Sequence, residues 1–143
     1  MKNLLYLGLA FGATLGAVPA GSGDDAAAVQ GNWKPVAGEL AGKPMPDAVL
    51  KMISLKLENG RYEVMVGDAP DKGTYTIDAG TAPKGMSVTG TEGPNAGQTY
   101  PAIYELKGDT LRICYDLSGA KRPAEFKTVA GTKLYLVSYL RQK

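Results

Sequence analysis

Hydrophobic and polar residues alternate along most of the chain beyond residue 30, which is the pattern of half-buried β-strands. The clearest alternation lies at residues 55–66 (LKLENGRYEVMV), where Asn59-Gly60 is a strong two-residue signal for a tight hairpin. Because successive side chains point to opposite faces, the position of the turn determines which residues pair. The predicted pairs are Ile53 with Val66, Leu55 with Val64 and Leu57 with Tyr62 on the apolar face, and the oppositely charged Lys56 with Glu63 and Glu58 with Arg61 on the other.

A second hairpin is predicted around Gly108-Asp109, another two-residue turn between alternating segments. On its polar face Glu105 lies opposite Arg112, a cross-strand pair of opposite charge. The other face is apolar, so this hairpin is also expected to be half-buried. Its predicted apolar pairs are Ala102 with Tyr115, Tyr104 with Ile113 and Leu106 with Leu111.

The remaining segments extend this pattern and predict the fold class. Only residues 47–52 (DAVLKM) have helical character, over about one to two turns. Residues 133–141 are apolar on both faces, so we expect both to be covered. We predict an all-β fold, a small lipocalin-like antiparallel barrel of about eight strands, with a sandwich as the alternative. The strands are expected near 30–39, 53–58, 61–66, 73–78, 86–89, 99–106, 111–115, 125–129 and 133–141.

The start of the chain resembles a targeting segment rather than part of the domain. Lys2 precedes an apolar run that extends to Val18 and ends in small residues, as in a secretory signal peptide. A buried helix or a membrane anchor is the alternative, but the run is shorter than the roughly 20 apolar residues that a spanning helix needs. We expect export to the periplasm or the exterior with no stable membrane anchor. The predicted division is a signal peptide at 1–20, a flexible lead at 21–29 and one barrel domain at 30–143.

Composition excludes several classes of function. The chain has 16 basic and 14 acidic residues, and they are interspersed, so a nucleic-acid-binding surface is not predicted. It contains no histidine, which removes Ser-His and Cys-His catalysis and most zinc sites. Cys114 is the only cysteine, so an internal disulfide is excluded. No cofactor, no metal site and no enzymatic activity are predicted.

Three polar residue groups have both a chemical and a structural interpretation. Cys114 is either a reactive or metal-binding thiol or, as we expect, a small buried residue. Arg122 and Glu125 are either an anion site, a catalytic acid beside a cation or, as we expect, an ion pair that fixes a loop, with Phe126 filling the core. A carboxylate pair for glycoside hydrolysis requires a separation of about 5–9 Å across a cleft, and we expect solvated or salt-bridged carboxylates instead. The carboxylates concerned are Asp116, Glu125 and Glu105.

Tyrosine is the most abundant aromatic residue, with eight in the chain against one tryptophan and two phenylalanines. Lining a cavity, tyrosines would provide an apolar wall with polar hydroxyl groups, which suits a ligand site. Alternatively, they fill the interior of a small barrel with side chains. The candidate ligand-binding residues inside the barrel are Tyr62, Tyr104 and Tyr115.

Several short motifs occur in a fixed order through the domain. They are Gly31-Asn32-Trp33-Lys34 with Gly38-Glu39, Gly73-x-Tyr75-x-Ile77-Asp78 with Pro83-Lys84, residues 104–115 (YELKGDTLRICY), and Arg122-Pro123-x-Glu125-Phe126. In their order and spacing the chain resembles a lipocalin-like domain family that is expanded in planctomycete bacteria and usually follows a signal peptide. The resemblance covers essentially the whole chain after residue 20, and the family has no assigned activity.

Gly31-x-Trp33 also resembles the first strand of the true lipocalins. In those proteins the tryptophan closes the base of the barrel beneath an arginine from the last strand. The resemblance implies that Trp33 and Arg141 have this structural role, which a cation–π contact would explain.

These observations predict an exported, non-enzymatic binding module that holds a small, partly apolar ligand in its barrel. The alternative is a structural or protein-interaction module of the cell envelope, with a barrel filled by its own side chains. The two differ in whether the interior contains a cavity of about 300 Å³ or more.

The first testable prediction concerns the start of the exported protein. We expect cleavage after Ala20, so that the product recovered outside the cytoplasm begins at Gly21. Intact-mass measurement and N-terminal sequencing check this prediction. An exported product that retains residues 1–20 would contradict it.

Overall fold

The computed structural model describes residues 20–143, so the predicted signal peptide, except for Ala20, lies outside the described residues. Within residues 20–143, neither helix is long and apolar enough to cross a membrane. The elements are α1 (Ala20–Ala28), β1 (Gly31–Leu40), β2 (Lys43–Pro44), α2 (Asp47–Leu50), β3 (Ile53–Glu58), β4 (Arg61–Val66), β5 (Ala69–Asp78), β6 (Lys84–Glu92), β7 (Thr99–Lys107), β8 (Thr110–Asp116) and β9 (Leu134–Arg141).

Eight long strands form a closed antiparallel barrel, which confirms the predicted fold class. Each strand from β3 to β9 pairs with the next, and β1 pairs with both β3 and β9, so the sheet closes on itself. The two-residue strand β2 pairs only with the end of β1. Closure pairs the eight long strands with one another and leaves the two-residue β2 as the terminal strand of the sheet. The predicted short helix is α2, just before β3.

The two predicted hairpins have the predicted register. All six pairs between β3 and β4, and all six between β7 and β8, match the pairing that follows from their turns. Arg112 Nη2 lies 3.0 Å from Glu105 Oε1, as the predicted charge pair requires. In the first hairpin, however, Lys56 Nζ lies 3.4 Å from Glu58 on its own strand rather than next to the predicted Glu63. Both side chains are exposed, so little energy separates the possible pairings.

The predicted strand at 125–129 is wrong. Residues 117–133 form an irregular segment that crosses the outer face of the barrel, where the buried Cys114 Sγ donates to the Lys127 carbonyl at 3.7 Å. The Thr128 hydroxyl donates to Glu39 and accepts from the Gly42 N–H, which attaches this segment to β1. These contacts hold residues 127 and 128 against the barrel without strand pairing. They also explain why Cys114 is buried although it faces outward.

The prediction that both faces of β9 are covered holds for only part of the strand. Val137 and Tyr139 point into the core and are fully buried. On the outer face Leu136 is half-buried, but Leu140 is 45% exposed. Thr132 of this segment accepts a hydrogen bond from the Leu134 N–H at the start of β9, whereas the outer face near the end of the strand is open to solvent at Leu140.

Phe126 does not fill the core, as the sequence had suggested, but lies on the outer face of β8. Its ring centroid is 4.2 Å from Arg112 Cζ, which is the geometry of a cation–π contact. Arg122 and Glu125 are both exposed, and the ion pairs among residues 24–143 do not include one between them. Arg122 instead lies against Gly85, where an added Cβ would be 2.5 Å from Nη1. The predicted ion pair is therefore wrong.

One end of the barrel is closed around Trp33, which is fully buried. Its Nε1 donates to the Val29 carbonyl at 2.9 Å, and the Arg141 guanidinium lies 4.4 Å from the ring centroid. The structure thus places Trp33 and Arg141 in the arrangement implied by the resemblance to the first lipocalin strand. Val29 is also fully buried, so it seals the base of the core together with the tryptophan.

Residues 20–28 form helix α1, so the predicted flexible lead is wrong. Asp25 accepts hydrogen bonds from the Tyr104 hydroxyl at 2.6 Å and from Lys84 Nζ at 2.9 Å. These bonds attach α1 to β7 and β6 across the closed end. Burial raises the pKa of Asp25, but the hydrogen bonds from Tyr104 and Lys84 outweigh burial and hold the pKa below its usual range.

The attachment of α1 gives a second testable prediction. Asp25→Ala should lower the free energy of unfolding at pH 7 by about 1–3 kcal/mol, because the buried Tyr104 hydroxyl loses its acceptor. Asp24→Ala is the matched control, since Asp24 is exposed on the same helix and its loss should cost less than about 0.5 kcal/mol. Urea unfolding of both variants measures the difference.

The pH dependence of this difference follows from the direction of the pKa shift. A carboxylate with a lowered folded-state pKa stabilises the fold above its ordinary value of 3.8, and the stabilisation is lost as the pH falls through the folded-state pKa. The gap between the wild type and Asp25→Ala should therefore shrink in that range. A gap that stays constant down to about pH 2 would contradict the argument.

Candidate functional site

The barrel interior contains a cavity of about 300 Å³ on the side away from α1. Aliphatic side chains from β3, β4, β6 and β8 form much of its wall, and the β6–β7 loop contributes Pro94 and Asn95 at its mouth. The β4–β5, β6–β7 and β8–β9 connections surround this open end, whereas α1 covers the opposite end. Six tyrosines complete the lining: Tyr62, Tyr75, Tyr100, Tyr115, Tyr135 and Tyr139.

Gly73 makes room for the ring of Tyr62. The two residues pair directly across β4 and β5. A Cβ atom on Gly73 would lie 2.5 Å from Tyr62 Cε2 and would also overlap the Thr89 carbonyl. The missing side chain therefore lets the aromatic ring lie over β5, an arrangement in which an aromatic residue covers a strand glycine.

Four polar side chains form a hydrogen-bonded chain at the mouth, which we call the mouth cluster: Tyr62, Asp71, Asn95 and Tyr100. The Tyr62 hydroxyl donates to Asp71 Oδ1 at 3.3 Å, and Asn95 Nδ2 donates to Asp71 Oδ2 at 2.6 Å. The Tyr100 hydroxyl donates to Asn95 Oδ1 at 2.8 Å. The orientation of the Asn95 amide follows from its partners, because the carboxylate needs a donor and the hydroxyl needs an acceptor.

The loop that carries Asn95 is fixed by backbone hydrogen bonds. The Gly97 N–H donates to the Gly90 carbonyl at 2.9 Å, and the Gly90 N–H donates to the Gln98 carbonyl at 2.9 Å. Asn95 is thereby held beside β5. The polar groups of the mouth cluster are therefore fixed by contacts within the protein itself.

Three further tyrosines form the wall on β8 and β9. The Tyr115 and Tyr135 rings stack with centroids 5.6 Å apart, and the Tyr115 and Tyr139 hydroxyl oxygens are 3.3 Å apart. Burial raises the pKa of Tyr135 to about 12 and raises that of Tyr139 well above its ordinary value. These phenols are therefore neutral at physiological pH and can donate hydrogen bonds.

The three candidate ligand-binding tyrosines separate into two groups. Tyr62 and Tyr115 line the cavity, and burial and the neighbouring Asp71 raise the pKa of Tyr62. Tyr104 also points inward, but it lies at the closed end and donates to Asp25. Burial is the main cause that raises the pKa of Tyr104, and the hydrogen bond to Asp25 raises it further. Tyr104 thus holds α1 rather than lining the cavity.

Sequence reasoning missed Asp71 and Asn95, and it did not select Tyr100 from the tyrosines considered as a cavity lining. A signal for Asp71 was present, since it lies four residues before the inward-facing Tyr75 and so shares its face of the strand. The positions of Asn95 and Tyr100 depend on how the β6–β7 loop folds, which alternation does not report. The site was therefore only partly visible in the sequence.

The carboxylates considered for hydrolysis occupy other positions. Glu105 pairs with Arg112 on the outer face, and Asp116 and Glu125 line a separate surface pocket of about 340 Å³ beneath residues 121–127. Burial raises the pKa of Asp116, but hydrogen bonds from Ser118 and the Lys121 N–H hold it below its usual range. Both of its oxygens thus fix the β8–β9 connection.

Cys114 is inaccessible, and burial raises the pKa of its thiol, so the geometry favours the structural interpretation.

Within residues 24–143 no group of three or more histidine, cysteine, aspartate or glutamate side chains is arranged to hold a metal ion. The interior cavity therefore stands out as the candidate functional site of the described chain.

Comparisons with known proteins returned no match: no family model, no curated protein and no solved structure matches this chain. A functional assignment therefore depends on the residues and the geometry of the cavity.

The contact between Gly73 and Tyr62 gives a third testable prediction. Gly73→Ala should destabilise the protein by about 3 kcal/mol and displace the Tyr62 ring, because the new methyl group overlaps the ring and a backbone carbonyl. Gly80→Ala is the matched control in the exposed turn after β5, with an expected effect within about 0.5 kcal/mol. Urea unfolding of both variants measures the costs, and equal costs would contradict the steric argument.

Proposed function

We propose that this chain is an exported, non-enzymatic module that binds a small, partly apolar ligand inside its barrel. The supporting observation is the interior cavity of about 300 Å³, which is at the lower end of the range for ligand pockets. Export to the periplasm or exterior, and membership of the lipocalin-like family that the motifs resemble, are parts of the same proposal and rest on the sequence.

The composition of the cavity wall suits such a ligand. The aliphatic side chains favour an apolar body through burial of surface, at about 25 cal/mol per Å². The mouth cluster and the tyrosine hydroxyls provide a few fixed polar groups that orient a polar substituent. A mainly apolar pocket with a few converging polar groups is the usual composition of a small-molecule site.

A binding role accounts for the cavity better than catalysis does. The sequence contains no histidine to act as a general base near neutral pH. Among the described residues that line the cavity, Asp71 is the only carboxylate, whereas glycoside hydrolysis uses a pair. The alternative of a structural or envelope-protein-binding module with a filled barrel leaves the empty interior volume without a role.

The fourth testable prediction uses a cavity-filling substitution. Val64→Trp places a larger side chain in the cavity, so it should weaken binding of the neutral fluorescent probe N-phenyl-1-naphthylamine by about tenfold or more. Fluorescence titration of the purified protein measures this affinity. Native mass spectrometry of the protein recovered after export tests in parallel for a bound natural ligand, which Val64→Trp should also displace.

Val36→Trp is the matched control, since Val36 is 58% exposed on the outside of the barrel and does not line the cavity. Its affinity for the probe should equal that of the wild type. Thermal unfolding verifies that both variants are folded. Probe binding that is equal in the wild type and Val64→Trp, or absent from the folded wild type, would contradict the proposal.

A further inference from the structure

Asp71 places a carboxylate in a cavity wall that is otherwise uncharged. Among the described residues that line the cavity, it carries the only formal charge. None of the ion pairs among residues 24–143 includes it. The carboxylate is half-buried at the mouth of the cavity, so its charge borders the apolar interior without a cationic partner from the protein.

The hydrogen bonds within the protein leave Asp71 only partly satisfied. A carboxylate offers about four acceptor positions on its two oxygens. Asn95 provides a short bond of 2.6 Å to Oδ2, whereas the Tyr62 hydroxyl is 3.3 Å from Oδ1, longer than the usual O–H···O distance. Both donors are neutral. The carboxylate therefore retains acceptor capacity, mainly on Oδ1, and receives no compensating positive charge.

The aromatic surroundings are also suited to a cation. Tyr62 and Tyr100 belong to the mouth cluster with Asp71, and four more tyrosines line the cavity beyond them. The faces of aromatic rings attract ammonium groups electrostatically. An anionic ligand would meet the like charge of Asp71, and a neutral ligand would leave the carboxylate without a cationic partner.

We propose that the ligand is a small organic amine whose protonated nitrogen binds Asp71 while its apolar body occupies the cavity. This inference rests on the proposed function, because it specifies the class of ligand for the same cavity. The ammonium group donates to Oδ1 and supplies the positive charge that the mouth cluster lacks. The short bond from Asn95 keeps the carboxylate in place for this contact.

The test compares three probes with the same phenylpropyl body: 3-phenylpropylamine, 3-phenylpropan-1-ol and 3-phenylpropanoate. Isothermal titration of the purified protein should give the tightest binding for the amine, weaker binding for the alcohol and the weakest for the carboxylate. We expect the amine to exceed the alcohol by about tenfold or more, since a hydrogen bond between charged groups is stronger than one with a neutral donor. This comparison uses the unmodified protein, so it holds even if a variant folds poorly.

Asp71→Asn then identifies the group responsible. It should reduce the affinity for the amine to that for the alcohol, while retained binding of the alcohol shows that the cavity is intact. Asp68→Asn, the same change at an exposed position in the β4–β5 turn, is the matched control and should keep the preference for the amine.

The outcomes separate this inference from the proposal on which it rests. Equal affinities for the amine and the alcohol in the wild type would overturn the amine assignment and leave the cavity proposal in place. A preference that persists in folded Asp71→Asn would overturn the role of Asp71. Failure of both the phenylpropyl probes and N-phenyl-1-naphthylamine to bind the folded protein would overturn the binding function itself, and the amine assignment with it.

Discussion

The closed end of the barrel depends on the contacts of one group, the Arg141 guanidinium. It lies over the Trp33 ring, and its nitrogens donate to the carbonyl groups of Ala28 and Gln30 and to the Asp109 carboxylate. A single planar group thus connects α1, β1, β9 and the β7–β8 turn. Ala28 ends α1, so the cation also satisfies a carbonyl group that the helix leaves unpaired. A lysine ammonium could not make this set of directed bonds while stacking on the ring.

The two ends of the barrel consequently differ in their electrostatics. At the closed end Asp25 receives a cationic donor from Lys84, and the Arg141 guanidinium has carbonyl and carboxylate acceptors. At the open end Asp71 receives only neutral donors. The first arrangement is satisfied within the protein, whereas in the proposed complex the ammonium group of the ligand would complete the second. This difference is why the proposal places the ligand at the open end.

The sequence predicted the fold far better than the site, and particular residues show why. Asn59-Gly60 determines both a turn and a register, so every pair of its hairpin follows from local information. Alternation also reports which face a side chain occupies, but not its height along the barrel axis. Tyr62 and Tyr104 therefore looked equivalent, although one lines the cavity and the other lies at the closed end.

The remaining errors come from contacts between residues distant in the sequence. Residues 21–28 have the composition of a flexible segment, yet they belong to α1, which Asp25 attaches to Tyr104 and Lys84 on strands far along the chain. Phe126 is a large apolar residue of the kind usually found in a core, yet its ring lies on the outer surface, where it packs against the Arg112 guanidinium. In both cases the contacting residue is distant in the sequence, so the local pattern of hydrophobic and polar residues does not predict the contact.

The cavity and its charge both originate in the inner face of β5. An eight-stranded barrel is just wide enough for side chains to fill, so an open interior requires small residues at some inward positions. At its mouth end β5 provides Ala69, Asp71 and Gly73 in succession on that face, and large side chains resume only at Tyr75. Gly73 accepts the ring of Tyr62, which places the phenol beside the carboxylate two residues away. The small side chains of Ala69 and Asp71 therefore leave space at the mouth of the cavity, and Gly73 places the Tyr62 phenol beside the charge that the proposed ligand would meet.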